Sequence, residues 1–452
     1  MTKKFEVWLL LVIAGLGGLL YGVDFGVIAA AEPYLKALGI YSGARVSLVV
    51  GAVMLGGILS SLTAGVLCDG IGRKRMIIGS AGMFLLAIPI VCLSIDCFPV
   101  LFAGRVLQGM SAGYMAVVMP MYLAETLPPD IRGRGTGVFQ FFLGLGLVVA
   151  AGAGCLIANH YGAADAKGMT SEVMVVAWKA NFWWTMLPVS VLLIGGFFLK
   201  ESPVWLARKQ GNDAPAGEKA AVAGVAASRG GSLLQRRYVV PFLLAVLVLT
   251  LNKTMGMSSF TSYLVTILQE SGFEGMFANW GQFAVKLTNM VVTIAAAALV
   301  DKKGRIWLLK VGTGGMTLGL LAIGGVFFAI ERLGMPANNV TGLITMCSFL
   351  FMQTFYALGP GICVWLVLSE LMPSRIRANG MSFALLMNQF VAWGLASTLH
   401  PWKAAWGWSS MFLFFAVNGF LYFIVVHFIP ETKGRSLDEL EHLFDRKTQA
   451  SK

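Results

Sequence analysis

Two copies of one charged signature stand 232 residues apart, each flanked by apolar stretches long enough to cross a bilayer. The first copy runs Asp69, Gly72, Arg73, Lys74, Arg75, and the second runs Asp301, Gly304, Arg305 in the same D-x-x-G-R frame. A pattern E-x-x-P-x-x-I-R recurs at an offset of 245: Glu125, Pro128, Ile131, Arg132, then Glu370, Pro373, Ile376, Arg377. A glutamate that follows an apolar run recurs at an offset of 230, as Glu201 and Glu431. Three offsets of similar size describe a duplicated membrane unit, and duplicated halves around a central site imply a carrier.

Composition supports a membrane reading. The chain is 57% hydrophobic and 12% charged, with mean hydropathy +0.76, whereas a soluble domain carries about a quarter charged residues. Twelve apolar windows lie between Val7 and Phe428, each near the roughly 20 residues that a spanning helix needs. The sixth covers 181–200, and the last two cover 380–400 and 404–428. With Met1 placed on the cytoplasmic side, 25 of the 34 Lys and Arg fall in cytoplasmic segments and 6 in external ones. Arg105, Lys253 and Lys286 remain inside spans. That bias is the positive-inside pattern and predicts that both termini are cytoplasmic. The net charge of +12 then reflects topology and contact with anionic lipid, not nucleic-acid binding.

The predicted fold is all-α, with 12 transmembrane helices in two six-helix bundles. The first bundle covers 1–206, and a cytoplasmic linker rich in Ala, Gly and Ser covers 207–237. The second bundle covers 238–430, and a cytoplasmic tail covers 431–452. Removing the first apolar run as a signal peptide would leave an odd number of spans, so that helix is expected to be retained. The six Cys and four His are scattered, which predicts no metal site and no cofactor. With no triad spacing and no phosphate-binding loop, an enzyme is not expected.

The motifs resemble the sugar porter family of the major facilitator superfamily over nearly the whole chain. Gly18 to Ile28 is similar to its first-helix pattern, Gly65 to Arg75 to its loop between helices two and three, and Gly104, Arg105, Gly109 to its fourth-helix motif. Glu201, Ser202, Pro203 and the run Pro430 to Leu437 are similar to its two glutamate-containing tags. This resemblance implies alternating access in a monomer of the cell membrane, with uptake of a sugar, polyol or sugar acid coupled to protons.

Within that frame, Asp69, Arg73, Glu125, Arg132 and Glu201, with Asp301, Arg305, Glu370, Arg377 and Glu431, are expected to bridge helix ends as a cytoplasmic gate. Exposed ion pairs contribute only about 0–1 kcal/mol each, enough to bias two states without locking either. Gly72 and Gly304 are suited to tight turns. Asp24 and Arg105 are different, because an ionisable residue inside a span is costly and usually faces a partner or water. Both fall roughly 10 Å below the outer surface at about 1.5 Å per residue, so they are able to pair. In the family, an aspartate at this position goes with proton coupling. An arginine beside a carboxylate keeps it ionised, and separating the two lets it take a proton. The alternative is a static pair fastening two helices.

The resemblance also implies a polar substrate cavity lined by Gln140, Asn252, Ser258, Tyr263, Asn289, Trp365 and Asn388. The seventh span departs most from the family pattern: Asn252 and Lys253 stand where two Gln are usual, and Ser258 replaces an Asn. Lys286, one turn outward of Asn289, adds a second cation. Three readings of Lys253 and Lys286 stay open: a structural role by snorkelling or ion pairing, recognition of an anionic substrate, or proton transfer. The resulting expectation is proton-coupled uptake of a sugar-like molecule. The alternatives are symport of an organic anion or sugar acid held by Lys253 and Lys286, or a non-transporting sensor with the same fold.

Overall fold

In hydrocarbon a chain has to satisfy its own backbone groups, and an apolar run of this length does so by forming a helix. A computed structural model describes residues 3–127, 129–166, 168–209, 236–371 and 377–429, and every regular element among them is an α-helix. The first five are long: α1 (Lys3–Ala37), α2 (Gly43–Ile71), α3 (Arg73–Leu93), α4 (Phe98–Thr126) and α5 (Pro129–Tyr161). Two shorter helices, α6 (Ser171–Trp183) and α7 (Met186–Phe198), follow one another with only two residues between them, and α8 (Pro203–Lys209) is a short cap. The remainder comprises α9 (Arg236–Thr254), α10 (Met257–Glu270), α11 (Gly275–Lys303), α12 (Arg305–Arg332), α13 (Asn339–Leu358), α14 (Pro360–Leu371) and α15 (Arg377–Phe428).

By length and composition, 11 helical runs among the described residues can cross a membrane. The chain is thus an integral membrane protein whose described residues form helices and their connections. The sixth run is Ser171–Phe198, beginning ten residues before the sequence window, because Glu172 and Lys179 lower hydropathy over a stretch that is nonetheless helical. The eleventh is Phe383–Phe428, 46 residues long, and its backbone is broken at Gly407, with φ 79° and ψ 172°. Two more spans are interrupted in mid-course. Gly256 (φ 81°, ψ 5°) separates α9 from α10, and Gly359 (φ −118°, ψ −84°) separates α13 from α14. The turns before α3 and α12 both use the left-handed region, at Gly72 (φ 97°) and Gly304 (φ 96°), so the two copies of the signature build the same turn. The linker expected over 207–237 begins inside α8. Positions 210–235 and 430–452 lie outside the described residues.

Small residues set the tightest packing, as between helices in lipid generally. On α1, a side chain at Gly18 or Gly22 would meet the carbonyl oxygen of Phe139 or Leu143 on α5. On α4, Gly109 faces the Val53 carbonyl of α2 in the same way. Contacts also run from the first eight helices to the later ones, through α2 with α15, α5 with α11 and α1 with α10. Large apolar side chains such as Val66, Leu86, Leu187 and Phe198 project outward and are exposed, as a lipid-facing surface requires.

The α1–α5 approach is testable. Gly22→Ala should lower stability by about 1–3 kcal/mol through overpacking, read as an earlier thermal transition of the detergent-purified protein. Gly65→Ala, a helical position where an added methyl meets nothing within 4 Å, should leave that transition unchanged or raise it.

Candidate functional site

The two charges placed inside spans by the sequence come together. Asp24 on α1 is 0% exposed and Arg105 on α4 is 1% exposed, with Arg105 Nη1 at 3.7 Å from Asp24 Oδ1. That distance is an ion pair without a hydrogen bond, and neither Asp24 oxygen has a hydrogen-bond partner among the described residues. Arg105 is held more closely by its own surroundings. Its Nη1 donates to Gln108 Oε1 at 2.6 Å, one turn along α4, and its guanidinium carbon lies 5.4 Å from the Phe182 ring centroid. The Asp24 carboxylate is thus buried with a single cation near it and no hydrogen bond of its own.

The residues carried over as substrate contacts are distributed around the interrupted helices. Asn289 on α11 accepts from Gln353 Nε2 on α13 at 2.6 Å. Asn388 on α15 is buried and donates to the Leu249 carbonyl of α9 at 3.1 Å. Lys253, in the last turn of α9, donates to Ser258 Oγ at 2.9 Å across the Gly256 break, and Asn252 beside it keeps a buried, unpaired Oδ1. Gln140 and Trp365 are exposed on α5 and α14. Tyr263 has a non-helical backbone (φ −116°, ψ 15°), is fully buried, and donates to the Ala396 carbonyl at 3.0 Å. Lys286 is 3% exposed, which is incompatible with snorkelling.

At the end of the molecule that carries the Gly72 turn, Arg73 is only 2% exposed and is clamped by Glu125. Its Nε and Nη2 each donate to one carboxylate oxygen at 2.9 Å. Arg73 Nη1 also reaches Cys68 O at 3.0 Å and Asp69 Oδ1 at 3.2 Å. Glu201 Oε1 accepts the backbone N–H groups of Arg73, Lys74 and Ser202 at 2.9–3.0 Å, so a distant carboxylate caps the N-terminus of α3. Ser202 Oγ donates to Glu125, and Trp205 Nε1 donates to the Asp69 carbonyl at 2.8 Å. The small magnitude expected for exposed pairs therefore applies to Asp69, 64% exposed, and not to the Arg73–Glu125 pair. In the second copy, Arg305 follows Gly304 as the first residue of α12. Glu431 lies outside the described residues, as do the side chains of Arg132, Asp301, Glu370 and Arg377.

The chain matches the sugar (and other) transporter family over residues 10–444. It belongs to that family. Across 465 aligned residues it is 30% identical to a putative metabolite transport protein, YwtG, of Bacillus subtilis strain 168, covering 98% of this chain and 95% of the relative. It is also 27% identical over 453 residues to the arabinose-proton symporter of the same organism, covering 95% and 93%. Among solved structures, the inward open conformation of the xylose transporter XylE from E. coli is similar at TM-score 0.78 and 22% identity, covering 96% of this chain and 98% of that one. At that identity the likeness speaks for the fold alone.

This porter has a second buried polar cluster that the sequence reading did not single out. Glu32 on α1 is 0% exposed; His400 Nε2 on α15 lies 3.0 Å from its Oε1, and Thr266 Oγ1 on α10 donates to its Oε2. Ser47 Oγ on α2 accepts from the His400 backbone at 3.0 Å, and the Tyr263 ring stands edge-on to His400. One turn further along α1, Lys36 donates to Glu270 at 2.7 Å; Lys403 and the Trp408 indole also converge on that carboxylate. All of this joins α1 and α2 to α10 and α15, at the end opposite the Gly72 turn. Glu32 stands one residue past the first apolar window, which ends at Ala31, whereas the helix itself runs on to Ala37.

Breaking the Arg73 clamp should be severe. Glu125→Gln leaves the buried guanidinium with only the exposed Asp69 as a counter-charge and should cost about 3 kcal/mol, whereas Asp69→Asn should cost no more than about 1 kcal/mol. Parallel thermal unfolding of the two variants checks the contrast; equal losses would contradict it.

Proposed function

We propose that this family member is a secondary active porter of the cell membrane that couples proton entry to uptake of a sugar or sugar-like small molecule. The observation that carries the reading is the buried Asp24 carboxylate, unpaired except for an arginine at 3.7 Å. Relatives named as sugar-proton symporters support it, including the arabinose-proton symporter and a D-xylose-proton symporter-like protein of Arabidopsis thaliana.

In this reading the chain crosses twelve times. A helical run of 46 residues spans about 69 Å at 1.5 Å per residue, more than twice the roughly 30 Å hydrocarbon core, so the Gly407 break makes it two crossings. An even count, with the basic residues gathered on one side, puts both termini in the cytoplasm. The halves 1–206 and 238–430 act as two bundles joined by 207–237, in a lipid-embedded monomer. The ten charged residues named for the cytoplasmic gate then lie at the inner face. The Glu32–His400 and Glu270–Lys36–Lys403 contacts close the outer one. Between the faces, Gln140, Asn252, Lys253, Ser258, Tyr263, Lys286, Asn289, Trp365 and Asn388 line or support the substrate path. The interrupted spans at Gly256 and Gly359 supply the non-helical backbone that transporter sites tolerate where it borders a cavity.

Proton coupling makes a separable prediction. In proteoliposomes with an inward-directed proton gradient, wild type should accumulate substrate above equilibrium. Asp24→Asn should lose accumulation while keeping exchange of substrate across the membrane. Accumulation by the variant would refute the role of Asp24, and the absence of any uptake by wild type would point to a sensor.

A further inference from the structure

One polar sector lies on α11, away from the helices that carry Asp24 and Arg105. On α11, Gln282, Lys286 and Asn289 are spaced by four and three residues and so share one side of the helix. Around the same helix, Gly281 packs on Leu268 of α10 and Met346 of α13, while Phe283 and Met290 pack on Gly152 and Gly144 of α5. Leu287, Val291 and Ile294 form the exposed, lipid-facing side. At about 100° per residue, Gln282, Lys286 and Asn289 fall opposite that side, toward the seam between α5 and the α10–α13 pair. Lys286 lies about 16 Å along α11 from Gly275 and about 25 Å from Lys303, at a depth where carriers hold their substrates.

The chemistry in this sector is incomplete as a set of protein contacts. Lys286 is 3% exposed, and among the described residues no carboxylate or hydrogen-bond acceptor reaches its ammonium. Arg73 and Arg105, the other Lys or Arg side chains buried this deeply among the described residues, each have a carboxylate within ion-pair distance. Gln282 is 0% exposed and has neither its amide oxygen nor its amide nitrogen paired. Gln353, buried and bonded to Asn289 through its nitrogen, has an unpaired Oε1. Buried polar groups are normally satisfied, so a cation, a free amide donor and two free amide acceptors in one sector describe the complement of a ligand. The ligand would bring one negative charge and several hydroxyls.

We infer that Lys286 and Gln282 form an anion subsite and that the transported substrate is a sugar acid. Its carboxylate is held by the Lys286 ammonium and the Gln282 amide nitrogen, and its hydroxyls donate to Gln282 Oε1 and Gln353 Oε1. This rests on the porter reading and specifies the substrate class of the same path. A single lysine with neutral amides matches a monocarboxylate better than a phosphate dianion, which draws clusters of cations.

The test pairs D-glucuronate with D-glucose and D-galacturonate with D-galactose, measuring ligand-induced thermal stabilisation of the purified full-length protein. Proton-driven uptake of the same four compounds is measured in proteoliposomes. At least one acid should stabilise wild type at a tenfold or more lower concentration than its neutral partner. Lys286→Gln should remove that preference, Lys286→Arg should restore part of it, and Gln282→Leu should weaken it even if Lys286→Gln does not fold. Stabilisation by neutral sugars at the same concentrations as the acids, failure of both acids to bind, or an acid preference unchanged in Lys286→Gln and Gln282→Leu would overturn the inference. Acid binding without any proton-driven uptake would uphold the subsite and refute the porter reading. Driven uptake of D-glucose with no acid preference would do the reverse.

Discussion

The Asp24–Arg105 contact is the constraint on which the proposed proton coupling depends, because it puts opposite charges where neither is exposed. Helices α1 and α4 are brought together by glycine-lined packing of α1 on α5 and of α4 on α2, not by that contact. The ion pair is long at 3.7 Å and contributes no hydrogen bond to the carboxylate. Packing therefore determines where the charges sit, and their energy responds to small changes in packing.

A second device recurs where helices begin. The first peptide N–H groups of a helix have no partner within the helix, and here distant glutamates supply one. Glu201 does so for α3 behind Gly72; Glu331 of α12 accepts from the backbone of Trp408 and Ser409 at 2.7 and 3.1 Å, just behind Gly407. In both places a side chain on the glycine would collide with the capping carboxylate. Each cap ties two helices together at a charge-assisted hydrogen bond, with no need for long apolar contact. Bundle ends secured this way can remain ordered while the helices change neighbours further along.

Charge position made much of this legible in the sequence. Asp24 and Arg105 stood out because charges inside apolar runs are rare, and Asp69, Arg73, Glu125 and Glu201 because their pattern recurs. The sequence did not show that Arg73 is buried, since its partners Glu125 and Glu201 come from segments 52 and 128 residues along the chain. Glu32 and His400 do not stand out, because Glu32 falls just past the apolar window that ends at Ala31 although the helix continues to Ala37. Their partnership crosses 368 residues, and His400 looks like one of four scattered histidines until α15 is laid against α1. Gln282 and Gln353 were missed for a related reason: a glutamine in an apolar run is unremarkable until both ends of its amide are seen to lack partners. The sixth span began earlier than its hydropathy because helix formation tolerates Glu172 and Lys179 where hydropathy averaging does not.

The way Arg105 is held indicates which element moves in the proposed cycle. Arg105 has three partners, and two of them remain whatever Asp24 does: Gln108 on its own helix at 2.6 Å, and the face of Phe182 on α6. Protonating Asp24 therefore removes only the long contact and leaves the guanidinium anchored to α4. The carboxyl is the free partner, and it rides on α1, the helix that also carries Glu32 and Lys36 into the contacts with α10 and α15. Asp24 and Glu32 are eight residues apart, about 12 Å along one helix. In the proposed cycle, a displacement of α1 that relaxes the Arg105 pair would also be felt at His400, Thr266 and Glu270, and so would link proton occupancy of Asp24 to the contacts at the end opposite the Gly72 turn through a single helix.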